Sequence, residues 1–233
     1  MNNSPTTNPA GLAAIAQAAV AMIQDGFVVG LGSGRAATAF VEALGKRVQQ
    51  GLRVRGVATS QATSDLARRC EIPLASLDEI EVIDITVDGA DEVDPQLDLI
   101  KGWGGAFVRE KIVAAASGQL VIVVGSEKLV PILGTRGKLP VEVVSFGLGP
   151  CRRRLAQLGL VSIPRKAGEE LFVTDNGNHI LDCQLSGISN PAELETLFRS
   201  IPGVVGTGLF LGMADTVLFQ EGEQVQIRQR PQT

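Results

Sequence analysis

Histidine is nearly missing from this 233-residue chain, in which His179 stands alone. Clustered imidazoles are the usual donors of a zinc site, and a nucleophilic serine needs an imidazole beside it. A single histidine argues against both, and His179 reads as an ordinary hairpin residue. Cysteine is scarce too. Cys70, Cys151 and Cys183 are odd in number and far apart, which fits neither metal-ligand spacing nor a disulfide framework and points to a reducing, cytoplasmic setting. No apolar run is long enough to span a bilayer. The opening MNNSPTTNPA has no basic stretch followed by an apolar core, so it reads as a polar tail rather than an export signal. Positive charge is not in surplus: 21 Lys and Arg against 25 Asp and Glu give a formal net charge of −4. That balance gives no general attraction to nucleic acid or anionic membrane. The one basic triplet, Arg152-Arg153-Arg154, has no interleaved aromatics and reads as a solvated helix face. An anionic ligand would need a local positive site.

What is present is the composition of a globular protein, 45% hydrophobic and 20% charged, long enough for one good core and a smaller subdomain. Alanine-rich helical periodicity runs from about Pro9 to Gln24 and ends at Asp25-Gly26. Phe27 to Leu31 is a strand that enters Gly32-Ser33-Gly34, and Ala36 to Val48 turns helical. Strand, glycine turn and helix can set backbone N–H groups and a helix N-terminus against a phosphate; the same unit can also be a plain tight turn. It is neither GxGxxG nor a P-loop, since no third glycine and no Gly-Lys-Ser/Thr follow. Arg53 to Thr59 is the second strand, and Ser60 to Cys70 its helix with Ser60 as cap. Val82 to Val87 is the third strand, with Asp88 and Asp91 just past its C-terminal end, where open parallel sheets place their crevices. A helix over 105–117 and a strand from Gln119 to Val124 follow, leading into Gly125-Ser126-Glu127-Lys128. The alternation predicts a doubly wound, mostly parallel, Rossmann-like α/β domain.

Past Gly134 the pattern changes. Leu139 to Val144 is a strand and Pro150 to Leu158 a helix. Leu171–Thr174 and Ile180–Cys183 are strands flanking Asn176-Gly177, a strong hairpin signal. A helix from Asn190-Pro191 to Ser200 and a short strand at Val204-Val205 complete the split βαβ pattern of a small ferredoxin-like α+β subdomain. Val217–Phe219 and Val225–Ile227 are expected to rejoin the first sheet. The expected division is residues 1–133 plus 206–233 for the α/β domain, with 134–205 as the inserted subdomain.

The chemistry is concentrated between Asp84 and Lys111, in DITVDGADEVDPQLDLIKGWGGAFVREK. An acidic loop is followed by a lysine in a glycine-rich turn and then by a helix carrying Glu110. Glu110 lies four residues after Ala106 and three before Val113, so it shares a partly apolar helix face with them. A carboxylate desolvated there has a raised pKa and can act as a base near neutral pH. The glycine and the closing glutamate of a calcium-binding EF-hand loop are misplaced in the acidic segment.

VDGADEVD followed by LIKGWGGAFVREKIVA resembles the signature of ribose-5-phosphate isomerase, type A. The likeness extends to GLGSGRAATAF and TSQATSDLA upstream and to SEKLV, LPVEVVSF, TDNGNHILD and IPGVVGTGLF downstream, in the family's order and over nearly the whole chain. The resemblance implies the same two-part fold and the interconversion of ribose 5-phosphate and ribulose 5-phosphate through an enediolate. It implies no metal, no redox cofactor and no other cofactor, a small sugar phosphate as partner, and a homodimer or homotetramer. By resemblance Glu110 shuttles the proton, Asp88 assists ring opening and proton traffic, Asp91 binds hydroxyls, and Lys101 stabilises the oxyanion. Substrate contacts are implied at Ser33, Gly34, Arg35 and Ala36, along Asp88, Gly89, Ala90 and Asp91, along Lys101, Gly102, Trp103 and Gly104, and at Lys128 for the phosphate. The chain departs from the family's GTGST at Arg35 and Ala36, where Arg35 either replaces lost hydroxyls with a charged fork or points to solvent. Trp103 stands where the family has glycine, and the indole either walls the site or lies on a subunit contact. Two other readings fit the same scaffold: an isomerase for another phosphosugar, and a sugar-phosphate sensing domain without turnover.

Overall fold

Short apolar strands alternate with helices through the first half of the chain, and a computed structural model describes residues 9–221 and 224–231. In order come α1 (Pro9–Val20), β1 (Val28–Leu31), α2 (Arg35–Gln49), β2 (Arg55–Ala58), α3 (Gln61–Arg69), β3 (Ile85–Asp88), β4 (Glu92–Val93), β5 (Leu99–Ile100), α4 (Phe107–Ala115) and β6 (Leu120–Gly125). The second half contains β7 (Lys138–Val143), α5 (Leu148–Gln157), β8 (Ser162–Pro164), β9 (Lys166–Ala167), β10 (Glu170–Leu171), β11 (His179–Gln184) and α6 (Pro191–Arg199). It closes with β12 (Val204–Thr207), β13 (Leu209–Phe210), β14 (Thr216–Glu221) and β15 (Gln224–Gln229). Of the polar tail expected over residues 1–10, residues 1–8 lie outside the described residues, and Pro9 and Ala10 open α1.

Six strands form the main sheet in the order β15-β14-β6-β3-β1-β2, parallel except for β15. From β1 the chain steps to β2 on one side and then to β3 on the other, so the winding reverses between β1 and β3. A crevice opens at the C-terminal ends of strands on either side of such a reversal. Both faces of the sheet are covered, as a parallel sheet requires. Along β6, Val121 and Val123 pack with Ile15, Phe40 and Leu44 of α1 and α2. Leu120, Ile122 and Val124 point the other way, against Phe107 of α4 and Phe210, which is the two-residue period of a strand.

The second sheet is antiparallel, in the order β12-β7-β11-β8, the ferredoxin-like arrangement. Val141, Val143, Leu181 and Cys183 of this sheet bury against Leu155 of α5 and Phe198 of α6. Asn190 caps α6 by accepting the Glu193 N–H at 3.2 Å, with Pro191 at the first helical position. The tail returns to the main sheet as β14 and β15. Between the two sheets, β13 pairs with β5 and β5 with β4, tying the returning chain to the acidic loop.

Several expected boundaries shift for local reasons. The first helix stops at Val20, because Met22 and Ile23 donate to Ala19 and Val20 three residues back and tighten the chain into turns. Ser60 caps α3 as expected, its Oγ accepting the Thr63 N–H at 3.1 Å. The hairpin expected about Asn176-Gly177 is replaced by a different pairing: β11 lies between β7 and β8, and residues 172–174 join no ladder. The cause is the buried carboxylate of Glu142. Its Oε1 accepts from Thr174 Oγ1 at 3.1 Å, Asn176 Nδ2 at 3.0 Å and Asn178 Nδ2 at 2.8 Å. The turn therefore folds onto β7 instead of extending into a strand.

Gly32, where β1 meets the crevice, tests this packing. A Cβ built there would lie 2.5 Å from the Asp88 Cα, so backbone would have to move. Gly32→Ala is expected to lower stability by about 1–3 kcal/mol, several degrees in Tm by thermal denaturation. Gly89→Ala, whose Cβ would find nothing nearer than 3.8 Å, is expected to leave Tm nearly unchanged.

Candidate active site

The last residue of β3 is Asp88, one position earlier relative to the strand end than its sequence setting indicated. Its carboxylate is fixed from two sides. Oδ1 accepts the Ser33 N–H at 3.1 Å and the Gly89 N–H at 2.7 Å, while Oδ2 lies 3.0 Å from Lys101 Nζ. Lys101 follows β5, and its own N–H is held by the Gly208 carbonyl at 2.8 Å. From there the side chain runs inward, so that Nζ donates to the Gly89 carbonyl at 2.5 Å and lies 3.1 Å from Glu110 Oε2. Asp88, Lys101 and Glu110 are 1%, 3% and 5% exposed, so this is a buried cluster of two carboxylates on one ammonium.

The two carboxylates are not equivalent. Asp88 has two backbone N–H donors besides the lysine, whereas Glu110 Oε2, 3.1 Å from Nζ, has no donor besides it. Burial, and next the negative charge of Asp88, push the Glu110 carboxyl up to about 8 against the opposing pull of Lys101. For Lys101 burial works the other way, but Asp88 and Glu110 outweigh it and hold the ammonium well above its ordinary value. The site thus contains a permanent cation and a carboxyl that exchanges its proton near neutral pH. Asp91, at the edge of the cluster, is raised by burial, with the Trp103 N–H at 2.9 Å and the Lys101, Lys128 and Arg165 charges opposing.

Above the cluster lies a cavity of about 800 Å³ that opens between the two sheets. Ser33, Gly34, Arg35 and Ala36 line one end, where α2 begins after Gly34 at φ +93°. Gly89, Ala90, Asp91 and Lys101 form the floor with Gly102 and Gly104, and Glu110 faces in from α4. Lys128 closes the rim beyond β6, its pKa lowered by burial and then by the nearby charges of Arg136 and Arg35, against Asp91. Asp88 sits beneath this floor and not in it. Beside the glycine turn, Ser33 Oγ is 2.8 Å from Thr59 Oγ1, 2.8 Å from Ser60 Oγ and 3.1 Å from Thr63 Oγ1. The first turn of α2 therefore stands over a group of hydroxyls.

Arg35 is exposed at the rim. The Trp103 side chain does not line the cavity: its Nε1 donates to the Lys138 carbonyl at 3.3 Å, and Lys128, Arg136 and Lys138 surround the ring at 5.5, 5.9 and 5.7 Å from its centre. Ser60, Thr63, Arg136, Phe172 and Asp175 also line the cavity; Ser60, Thr63 and Asp175 lie in the TSQATSDLA and TDNGNHILD stretches, but no contact with substrate was expected of any of the five. Phe172 and Asp175 reach the cavity from the inserted segment, a long-range placement that no local pattern encodes. His179 opens β11, its Nδ1–H donating to the Phe172 carbonyl at 2.9 Å. Among the described residues, no three of His, Cys, Asp and Glu converge as metal ligands, and no helix is long and apolar enough to cross a membrane.

A crevice at the winding reversal of a parallel sheet, with a proton-exchanging carboxylate facing a fixed cation, defines an α/β enzyme of acid–base chemistry. Comparison with known proteins makes the class specific. The family model for ribose 5-phosphate isomerase A (phosphoriboisomerase A) matches residues 55–224. Ribose-5-phosphate isomerase A of Bradyrhizobium diazoefficiens is 48% identical over 219 residues, covering 89% of this chain and 90% of that one. The Rhodopseudomonas palustris protein of the same name is 49% identical over 216 residues, covering 89% and 92%. A solved D-ribose-5-phosphate isomerase in complex with phospho-erythronic acid superposes with a TM-score of 0.90 at 35% identity, covering 94% of this chain and 97% of that one. Ribose 5-phosphate isomerase A of Methanocaldococcus jannaschii gives a TM-score of 0.89 at 38% identity, with the same coverage. The chain belongs to the ribose 5-phosphate isomerase A family.

The raised Glu110 carboxyl has a consequence for stability. The folded protein holds a proton there that the unfolded chain releases near pH 4.5, so stability from this group is complete below 4.5 and is lost as pH rises through about 8. Glu110→Gln has no such loss. Its Tm relative to the wild type is expected to climb from pH 5 to pH 9, and a difference that stays flat would refute the burial of a titrating carboxyl.

Proposed function

We propose that this chain interconverts D-ribose 5-phosphate and D-ribulose 5-phosphate through an enediolate, the non-oxidative pentose phosphate reaction. The observation that carries the reading is the Glu110–Lys101–Asp88 cluster under a cavity of about 800 Å³, ample for a five-carbon sugar phosphate. Glu110, as carboxylate, removes the proton from C2 of the open-chain aldose, and the electron pair forms the enediolate while the C1 carbonyl oxygen takes the negative charge. Lys101 is the fixed cation for that oxygen, in place before the charge appears. The proton now on Glu110 returns to C1, the O2 proton passes to O1, and the ketose results with no net gain or loss of atoms. A carboxyl that titrates near the working pH suits both halves of this exchange. Asp88, beneath the floor, acts on this proton traffic through Lys101 and Glu110, and Asp91, which lines the cavity, binds the sugar hydroxyls.

The phosphate belongs at the far end, with Lys128, the Ser33–Ala36 turn and the N–H groups at the start of α2. Holding it there fixes a flexible five-carbon chain over Glu110, a large entropic contribution to the rate. Arg35 adds charge at that rim without reaching the reacting carbons. A sensing domain has no use for a carboxyl pushed into the neutral range, and this chain keeps one. We take residues 134–205 as the inserted part that walls the cavity with Phe172 and Asp175. We further infer a cytoplasmic homodimer or homotetramer, for which the support is the exposed apolar surface of the inserted part, led by Phe146 at 97% exposure.

A coupled spectrophotometric assay with ribose 5-phosphate tests the reading. Glu110→Gln is expected to lower kcat by about 10²–10⁴-fold, the usual worth of a positioned acid–base group; unaltered turnover would remove Glu110 from the role. Arg35→Ala is expected to raise KM more than it lowers kcat, the mark of uniform binding. An unchanged KM would leave Arg35 in solvent.

A further inference from the structure

Arg165 lies between β8 and β9 in the inserted part of the chain, and no step above uses it. Its guanidinium makes two sets of contacts. Nε and one terminal nitrogen grip the Asp182 carboxylate of β11 at 3.0 and 2.5 Å. The other terminal nitrogen donates to the carbonyls of Gly102 at 2.8 Å and Trp103 at 3.0 Å. The two side chains are 9% and 11% exposed. Burial alone would raise the Asp182 carboxyl, yet the Arg165 fork and Lys138, at 3.1 Å, hold it below the usual carboxylate range. A buried, charge-fixed arginine is therefore aimed at the glycine loop of the active site.

The carbonyl and the N–H of a trans peptide point in opposite directions, and the described residues contain no cis peptide. With the Gly102 carbonyl drawn to Arg165, the Trp103 N–H turns the other way, where it donates to Asp91 Oδ2 at 2.9 Å. With the Trp103 carbonyl drawn to the same nitrogen, the Gly104 N–H turns away in turn. Gly104 lines the cavity, and among the described residues that N–H has no protein acceptor. Gly102 and Gly105 have φ of +105° and +93°. The Gly105 N–H also donates to the Gly102 carbonyl at 3.0 Å and closes a turn. Such a turn leaves its central peptide, Trp103–Gly104, free to face either way, so a group outside the loop selects that orientation.

We propose that Arg165, aimed by Asp182, is a positioning residue that sets two successive peptide planes, holding Asp91 in place and presenting the Gly104 N–H to the sugar end of the substrate. Lysine cannot replace it, because one ammonium lacks the planar fork that serves a carboxylate and two carbonyls together. The kinetic consequence rests on the isomerase reading, whereas the geometry does not.

Arg165→Lys in the full chain is the test, once wild-type turnover of ribose 5-phosphate has been measured. Misplacing reacting groups by an ångström costs up to about a hundredfold, so kcat is expected to fall by about tenfold to a hundredfold. Competitive inhibition by inorganic phosphate, which reads only the far end of the cavity, is expected to stay as in the wild type. A wild-type kcat would overturn the proposal, and so would a joint loss of kcat, phosphate inhibition and Tm, which general loosening of the fold would produce. If that variant does not fold, Asp182→Asn keeps the arginine but removes the group that aims it, and the same split at smaller size is expected. Amide exchange over residues 101–106 is expected to be faster in the variant whatever the turnover; equal rates overturn the clamp. A wild type without ribose 5-phosphate turnover would sink the isomerase reading instead, leaving amide exchange to decide the clamp.

Discussion

One ammonium buried with two carboxylates is the constraint to which the rest of this protein answers. Water would solvate all three groups better than the protein interior does, so the cluster holds only while each has partners. Asp88 has them in the Ser33 and Gly89 N–H groups, and Lys101 in the Gly89 carbonyl and the two acids. Glu110 is the group left short, its Oε2 having only the lysine beside it. The proton therefore settles on Glu110. The proposed mechanism puts this imbalance to use: the side chain that the fold solvates least takes up and returns the proton.

The topology explains why such a cluster can exist here. Asp88 ends β3, next to β1 and its glycine turn, so the reversal of winding brings backbone N–H groups to the carboxylate without any side chain travelling far. Lys101 is delivered by β5, a two-residue strand too short to stand alone, which β4 and β13 hold on either side. Glu110 arrives from the opposite side on α4, whose Phe107 and Val113 are buried in the cores beneath the sheet. Three separate elements thus converge on one point. The inserted sheet covers the result, and its Phe172 and Asp175 complete the cavity wall.

Much of this was legible in the residues. The alternation of strands and helices fixed the main sheet, and the spacing of Glu110 to Ala106 and Val113 foretold a half-buried carboxylate that the fold buries further, to 5% exposure. What escaped was long-range or short-lived in sequence. β4, β5 and β13 have two residues each, too few for a period to register. The Asn176-Gly177 signal was genuine as a turn, with Gly177 at φ +76°, but the partner of that turn is a carboxylate on β7 rather than a neighbouring strand. Arg136 and Arg165 have no local pattern that distinguishes them from surface arginines, and only the fold brings them to the cavity rim and the glycine loop. The roles proposed for Asp91 and Lys128 come from motifs and not from physics, and the fold adds only that both residues line the cavity.

The central claim is that the fold holds a carboxyl at position 110 whose proton affinity has been lifted into the working range. Carboxyl-carbon NMR of glutamate-labelled protein, with the Glu110 signal assigned by its loss in Glu110→Gln, measures that affinity directly. The account predicts a titration midpoint far above the ordinary 4.5, near 8. A midpoint at or below 4.5 would mean that residue 110 is an ordinary solvated glutamate or a fully paired anion, and the proton shuttle described here would have no carrier.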